Sequence, residues 1–160
     1  LIVDAPSQEF LMPFDRPHDL TFSFYSRLPI GITGGITAFY QSGYPYTPLI
    51  FNGRDPQVDH ENKYSKRKSS FRMINLSFFK SFKYQNQMVS LGLTIYNAFN
   101  IVNALDVYPL TGKADDPGEY YTSYVGLPDA EHDKSGSYYD QPWWFHNPRE
   151  INFFVKIDFE

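Results

Sequence analysis

The chain has 160 residues, a net charge of −4 from mixed charges, and no cysteine. That length supports one ordinary domain with a core. The missing cysteines exclude a disulfide framework, a thiolate metal site and a thiol nucleophile, and the charge balance excludes a general nucleic-acid binder. Fifteen Phe and 13 Tyr favour strands, while 12 Pro and 10 Gly favour frequent turns over long helices. No run approaches the ~20 apolar residues of a membrane-spanning helix. A barrel is compatible with low overall hydropathy, because only alternate residues of its strands face lipid.

The chain opens on Leu1-Ile2-Val3-Asp4 without an initiator Met, as a mature or truncated fragment would. Pro6, Pro13 and Pro17 make residues 1–17 irregular. A first strand is expected over 18–27, where Leu20, Phe22 and Phe24 alternate with Asp19, Thr21 and Ser23. Pro29-Ile30-Gly31 is a short turn. A second strand follows over 32–41, with Ile32, Ile36, Ala38 and Tyr40 on one face and Gly34-Gly35 marking a bend or a close backbone approach. Residues 42–69 form a long connection. The third strand, 71–80, sets Ile74, Leu76 and Phe78 against Asn75 and Ser77, and Phe79 breaks the alternation.

Residues 81–87 read as a short polar turn. The fourth strand, 88–97, carries Val89, Leu91, Leu93 and Ile95 on one side and Ser90, Gly92, Thr94 and Tyr96 on the other. Residues 100–148 form a very long excursion, and connections of this length are usually functional or disordered. The fifth strand, 150–159, alternates Ile151, Phe153, Val155, Ile157 and Phe159 with Asn152, Lys156 and Asp158. Apart from a short turn around 97–105, no helix is expected. The connections run short, long, short, long. Strands of about ten residues match the ~9–11 that cross a bilayer when tilted, and outer-membrane barrels place short turns on one side and long loops on the other.

Several segments resemble, in order, the late strands of TonB-dependent outer-membrane receptors. They are Asp15-Arg16-Pro17-His18-Asp19-Leu20, Ser42-Gly43-Tyr44-Pro45-Tyr46-Thr47-Pro48, Phe71-Arg72-Met73-Ile74-Asn75-Leu76-Ser77 and, closest, Tyr96-Asn97-Ala98-Phe99-Asn100. The aromatic-rich last strand is similar as well. One departure is that the family usually ends on an aromatic residue, whereas Glu160 follows Phe159 here.

The resemblance implies an all-β fold: an antiparallel meander of about five long strands, a partial wall of a large transmembrane β-barrel with long extracellular loops. Residues 1–160 would be the C-terminal portion of that barrel, without its plug and remaining strands. The expected location is the bacterial outer membrane, with 29–31 and 81–87 periplasmic and 42–69 and 100–148 extracellular. The expected role is nutrient uptake without catalysis and without a cofactor. Its partners would be the bilayer and lipopolysaccharide, the rest of the barrel and plug, the TonB complex through parts outside this chain, and a nutrient of unknown class.

Lumen-facing candidates are Asn75, Ser77, Ser90, Thr94, Asn152, Lys156 and Asp158. Lipid-facing candidates are Ile74, Leu76, Phe78, Val89, Leu91, Leu93, Ile95, Ile151, Phe153, Val155 and Ile157.

Candidate ligand contacts come from the long excursion: Tyr120, Tyr121, Tyr124, Tyr138, Tyr139, Trp143 and Trp144. Flat rings with polar tips suit sugar faces, aromatic ligands and partner proteins. Such rings also gather at membrane interfaces, and Trp143 and Trp144, close to the last strand, fit that girdle better. From Asp106 to Asp140 the loop holds eight carboxylates against Lys113 and Lys134, and a solvated acidic loop explains them better than a calcium site. No metal ligand set is assigned. Lys63, Lys66, Arg67, Lys68 and Arg72 form a basic run suited to lipopolysaccharide phosphates or to water. The four His are dispersed and no nucleophile elbow or phosphate loop occurs. The competing reading is a soluble all-β carbohydrate-binding module whose apolar faces form a core. A third is a small complete barrel with a structural or adhesive role.

Overall fold

The computed structural model describes residues 11–51, 53, 55–123 and 141–159. These divide into two compact units: a sheet unit of His18–Ser42, Ser70–Asn103 and His146–Glu160, and a loop unit of Gly43–Ser69 and Ala104–Phe145 together with the segment that ends at Pro17. The sheet unit is an all-β antiparallel meander. Strands β1 (Asp19–Arg27) and β2 (Thr33–Gln41) are joined through Pro29–Gly31, where Ile30 and Gly31 take φ of 60° and 73°. The loop unit supplies β3 (Pro45–Tyr46), β4 (Leu49–Phe51), β5 (Pro56–Val58) and β6 (Lys66–Arg67). The sheet then continues with β7 (Phe71–Tyr84), β8 (Gln87–Tyr96) and β9 (Glu150–Asp158) in the order β1-β2-β7-β8-β9.

Register decides what the alternation means. Phe24 lies opposite Ile36, Ile36 opposite Leu76, Leu76 opposite Ile95 and Ile95 opposite Ile151. A second row runs Gly34, Phe78, Leu93, Phe153. Residues opposite one another share a face, so the five apolar stripes fuse into one continuous apolar face. Lys80 stands within it, opposite Leu91; a long stem lets its amine reach past the apolar margin. The other face joins Ser23 to Thr37, Ser77 to Thr94 and Ser90 to Lys156. The Ser23 hydroxyl donates to Thr37 at 3.2 Å, and the hydroxyls of Ser81 and Ser90 bond at 2.8 Å.

Among the described residues the apolar face has no cover. Leu20, Phe22, Phe153 and Val155 are 63%, 63%, 66% and 52% exposed, and Leu91 and Leu93 are half-buried by their strand neighbours. No large side chain among the described residues is fully buried. Among the described residues β1 pairs only with β2 and β9 only with β8, which leaves both edges of the sheet without a further strand there.

Two expectations change in detail, and the irregularity at Phe79 gains a reason. The turn expected over 81–87 shrinks to two residues: Ser81–Tyr84 extend β7 and Gln87 opens β8, with Tyr84 opposite Gln87 and Gln85 at φ 55°. A two-residue reversal with positive φ follows the twist of its strands, which lets the ladder continue past the polar residues. Ile32, assigned to the second strand, precedes β2. Phe79 breaks the polar alternation because it lies opposite Gly92, which lies opposite Phe154; the two rings meet across the glycine at 5.9 Å between centroids. A Cβ on Gly92 would collide with the Phe154 ring.

The Tyr96–Asn100 segment ends β8 in a tight left-handed turn, with Asn97 at φ 48° and Asn100 at φ 52°. Asparagine tolerates this region because its short side chain bonds locally. Asn97 is 2% exposed and its N–H donates to Asn75 Oδ1 at 3.0 Å. Asn103, also 2% exposed, accepts from Arg72 N–H at 2.8 Å and donates to the Arg72 carbonyl at 2.7 Å. His146 N–H donates to the Asn103 carbonyl at 2.9 Å, and Arg149 N–H to Asn100 Oδ1 at 2.9 Å. Two buried asparagines thus tie the ends of β7, β8 and β9 together, and buried amides with both ends bonded are favourable where unpaired ones cost free energy.

Candidate functional site

The loop unit is built from short ladders fastened by ion pairs. Strand β3 pairs β6, and β4 pairs β5. Gly43 lies so close to the Lys68 and Ser69 carbonyls that a Cβ would strike them. The basic run, which the sequence suited equally to lipopolysaccharide phosphates or to water, is largely taken up locally. Arg67 pairs the Asp15 carboxylate and donates to the Asp15 and Gly43 carbonyls at 2.9 and 3.2 Å. Lys68 pairs Asp106 at 2.6 Å. In the sheet unit the Arg72 guanidinium lies 5.9 Å from the Tyr40 ring centroid, and its Nε donates to Ser70 at 3.1 Å.

Tyr120 and Tyr121 lie on α1 (Glu119–Ser123). The Tyr120 hydroxyl donates to Asp55 at 2.7 Å, and its ring meets Phe51 and Tyr121 edge-on, each at 5.5 Å between centroids. Phe51, on β4, is 54% exposed and was not singled out from the sequence. Trp144 packs on Tyr108 at 4.6 Å and its carbonyl accepts from Leu105 N–H at 2.6 Å. Trp143, next to it, is 67% exposed. The seven candidates therefore do not form one surface as described: Tyr120 and Tyr121 form an aromatic cluster, Trp144 is structural, and Trp143 presents an open ring. Tyr124, Tyr138 and Tyr139 lie outside the described residues, as do Asp129, Glu131 and Asp133.

Beside these, the loop unit holds an open cleft of about 720 Å³ that sequence reasoning missed. Leu49, Ile50 and Leu110 give it apolar walls, while Tyr46, Asp59 and Lys66 bring polar groups. Asp59 is 7% exposed, and its two oxygens accept from the Asn62 N–H and side-chain amide at 3.0 and 2.8 Å. Partial burial pushes the Tyr46 phenol above its usual range, so it stays protonated and able to donate. A pocket of mixed apolar walls and a few placed polar groups is the usual form of a small-molecule site. No sequence signal announces it, because its walls come from segments about 60 residues apart.

A smaller cavity of about 250 Å³ lies in the sheet unit, lined by Met73, Tyr96, His146 and Glu150. His146 is tilted against Phe71 at 4.8 Å between centroids. Met73 and Tyr96 belong to the polar face, so this cavity opens on the side away from the apolar stripes.

Acidic residues in the loop unit are used in its own folding. Asp116 pairs Lys113 at 3.0 Å and accepts from Gly118 N–H at 3.0 Å. The Lys113 ammonium and the Gly118 N–H hold the Asp116 carboxyl below the usual carboxylate range, and the same pairing raises Lys113. Among the described residues no group of three or more His, Asp or Glu is placed to hold a metal ion.

No protein-family model matches the chain, and no curated protein or solved structure matches it either.

Proposed function

We propose that this chain is part of the C-terminal wall and outer loops of a TonB-dependent receptor in a bacterial outer membrane, taking part in nutrient capture and uptake. One observation carries the reading: a five-stranded meander whose register fuses the apolar stripes into a single face that no described residue covers. Fully burying one Leu or Phe is worth about 1.5–3 kcal/mol. A water-soluble chain would forfeit that many times over across Leu20, Phe22, Phe24, Ile151, Phe153, Val155 and Ile157. Monomeric soluble proteins rarely leave so large a contiguous patch bare, whereas hydrocarbon is a suitable neighbour for it.

Three further features agree. The open edges at β1 and β9 leave ladder groups for adjoining strands. On β7, the segment paired with β2 is Phe71–Phe79 and the segment paired with β8 is Leu76–Tyr84, a stagger of the kind that barrel closure requires. Both short connections fall at one end of the strands and both long ones at the other. In this reading the long connections supply the ligand surface, with the 720 Å³ cleft and the Phe51–Tyr120–Tyr121 cluster as its sites. A soluble carbohydrate-binding module would need a second apolar sheet packed on the first. The described residues offer only two-stranded ladders besides the main sheet.

This chain has no cysteine of its own, so within it a label reports one chosen position once any cysteine elsewhere in the full-length protein is replaced. Spin labels are attached at Leu93→Cys, Phe153→Cys, Thr94→Cys and Asn152→Cys in the full-length protein, reconstituted in vesicles. Labels at 93 and 153 should be accessible to oxygen and shielded from a water-soluble nickel chelate, and those at 94 and 152 the reverse. Shielding of 93 and 153 from both relaxants would mean a packed protein interior and would overturn the proposal.

A further inference from the structure

The loop unit holds two hydrogen-bond donors side by side with nothing to receive them. Tyr46 on β3 lies directly opposite Lys66 on β6, and Pro45 lies opposite Arg67. Opposite residues of an antiparallel pair share a face, with Cβ atoms about 4.5–5.5 Å apart, while neighbours along a strand point to opposite faces. Arg67 is therefore sent to one side, where it pairs the Asp15 carboxylate. Tyr46 and Lys66 are sent to the other, and both line the cleft of about 720 Å³. Among the described residues neither the Tyr46 hydroxyl nor the Lys66 ammonium has a hydrogen bond or an ion pair. Gly112 keeps the place of the phenol clear, since a Cβ there would strike the Tyr46 hydroxyl. Other polar groups of the lining are already engaged. Asp59 accepts from Asn62 on both oxygens, and the Thr111 hydroxyl donates to the Asp116 carbonyl. A half-buried donor without a partner costs free energy until an acceptor arrives.

We infer that this cleft takes an organic carboxylate, its two oxygens received by Lys66 and Tyr46 and its apolar body lying against Leu49, Ile50 and Leu110. The inference rests on the receptor reading and deepens it, because it names the class of ligand that the outer loops hold. A carboxylate brings one charge and two oxygens to one ammonium and one neutral hydroxyl. A phosphate monoester brings nearly two charges and three oxygens, which this pair leaves partly unmatched. A neutral sugar would give the ammonium no counter-charge and would set hydroxyls against aliphatic walls. Bonds to an ionised acceptor are shorter and roughly twice as strong as neutral ones, so the charged end fixes the orientation. The volume lies within the ~300–1,000 Å³ of small-molecule sites. Two sources share this chemistry: a fatty acid of medium length and the free carboxyl end of a short apolar peptide.

The test uses the full-length protein in lipid nanodiscs and isothermal titration, with empty nanodiscs as the blank. The probes are hexanoate and N-acetyl-alanyl-alanyl-leucine, each beside its neutral amide. At least one acid should bind, about tenfold or more tighter than its amide, as a hydrogen bond to a charged group implies. Binding of hexanoate alone marks a fatty acid as the ligand, and binding of the tripeptide alone marks a peptide end. Lys66→Gln keeps most of the stem and drops the charge, so it should remove most of the difference between acid and amide, and Lys66→Arg should retain most of it. Tyr46→Phe should weaken the acid about fivefold and leave the amide little changed. Equal binding of acid and amide, no binding of either acid, or an acid preference that survives Lys66→Gln overturns the inference. Spin labels at 93 and 153 report on the same preparation. Where they face lipid, any of those outcomes leaves the wall reading standing. Labels shielded from both relaxants overturn the wall reading, and a preference for the acid would then belong to a binder that is not a membrane wall.

Discussion

Asn97 and Ile101 bond each other twice. The Ile101 N–H donates to Asn97 Oδ1 at 2.8 Å, and Asn97 Nδ2 donates back to the Ile101 carbonyl at 2.9 Å. This pair closes the left-handed turn after β8, from a side chain that is 2% exposed. Asn97→Ala removes both bonds and leaves a β-carbon at φ 48° with no local partner. The expected cost is about 2–4 kcal/mol in denaturant unfolding. Asn97→Gly, which tolerates the dihedral, should lose less.

Gly92 tests the aromatic bridge over β8. Gly92→Ala places a methyl where the Phe154 ring lies, and unfolding should show a loss of about 1–3 kcal/mol. The double variant Gly92→Ala/Phe154→Ala gives the methyl room and should be less than additive in a double-mutant cycle.

Arg67 binds a carboxylate and two carbonyls from Asp15 and Gly43. Arg67→Lys keeps the charge and loses the fork, so the segment around Asp15 should become several-fold more susceptible to limited proteolysis. Asp15→Asn should do the same, and the two changes together should add little.

The Lys113–Asp116 pair sets a local pH dependence. The Asp116 carboxyl is lowered in the folded loop, chiefly by the Lys113 ammonium and then by Gly118 N–H. Its contribution is therefore complete above the ordinary carboxylate range and is lost as pH falls through the lowered value. Hydrogen exchange at Gly118, corrected for intrinsic rates, should accelerate on acidification in that window. Asp116→Asn should abolish the dependence.

The two tryptophans should separate cleanly. Trp144→Ala removes the contact with Tyr108 at 4.6 Å and should cost about 2 kcal/mol or more. Trp143→Ala, at a site 67% exposed, should change unfolding by no more than about 0.5 kcal/mol. Any change in ligand uptake on replacing Trp143 would then report contact.

Much of the sheet was legible in the sequence because a strand repeats every two residues, and that period survives in a linear reading. Ile151, Phe153, Val155 and Ile157 already declare one face, and all five long strands lie close to their expected positions. Turn chemistry was less legible. The polar residues Ser81 and Lys83 suggested a turn, yet hydroxyl and lysine side chains also suit a solvated strand face, and β7 runs on through them. Phe79 looked like an error of pattern until register set it opposite Gly92 and Phe154.

The order of polar and apolar residues by itself determined that each strand has two unlike sides, since side chains alternate regardless of what surrounds them. Only tertiary structure decided that the five apolar sides align into one face that no described residue covers. The cleft beside Tyr46 and Asp59 arose in the same way. Strand register and loop crossing are relations between residues far apart in the chain. They are set by which backbone groups pair across space, and no local pattern encodes that choice.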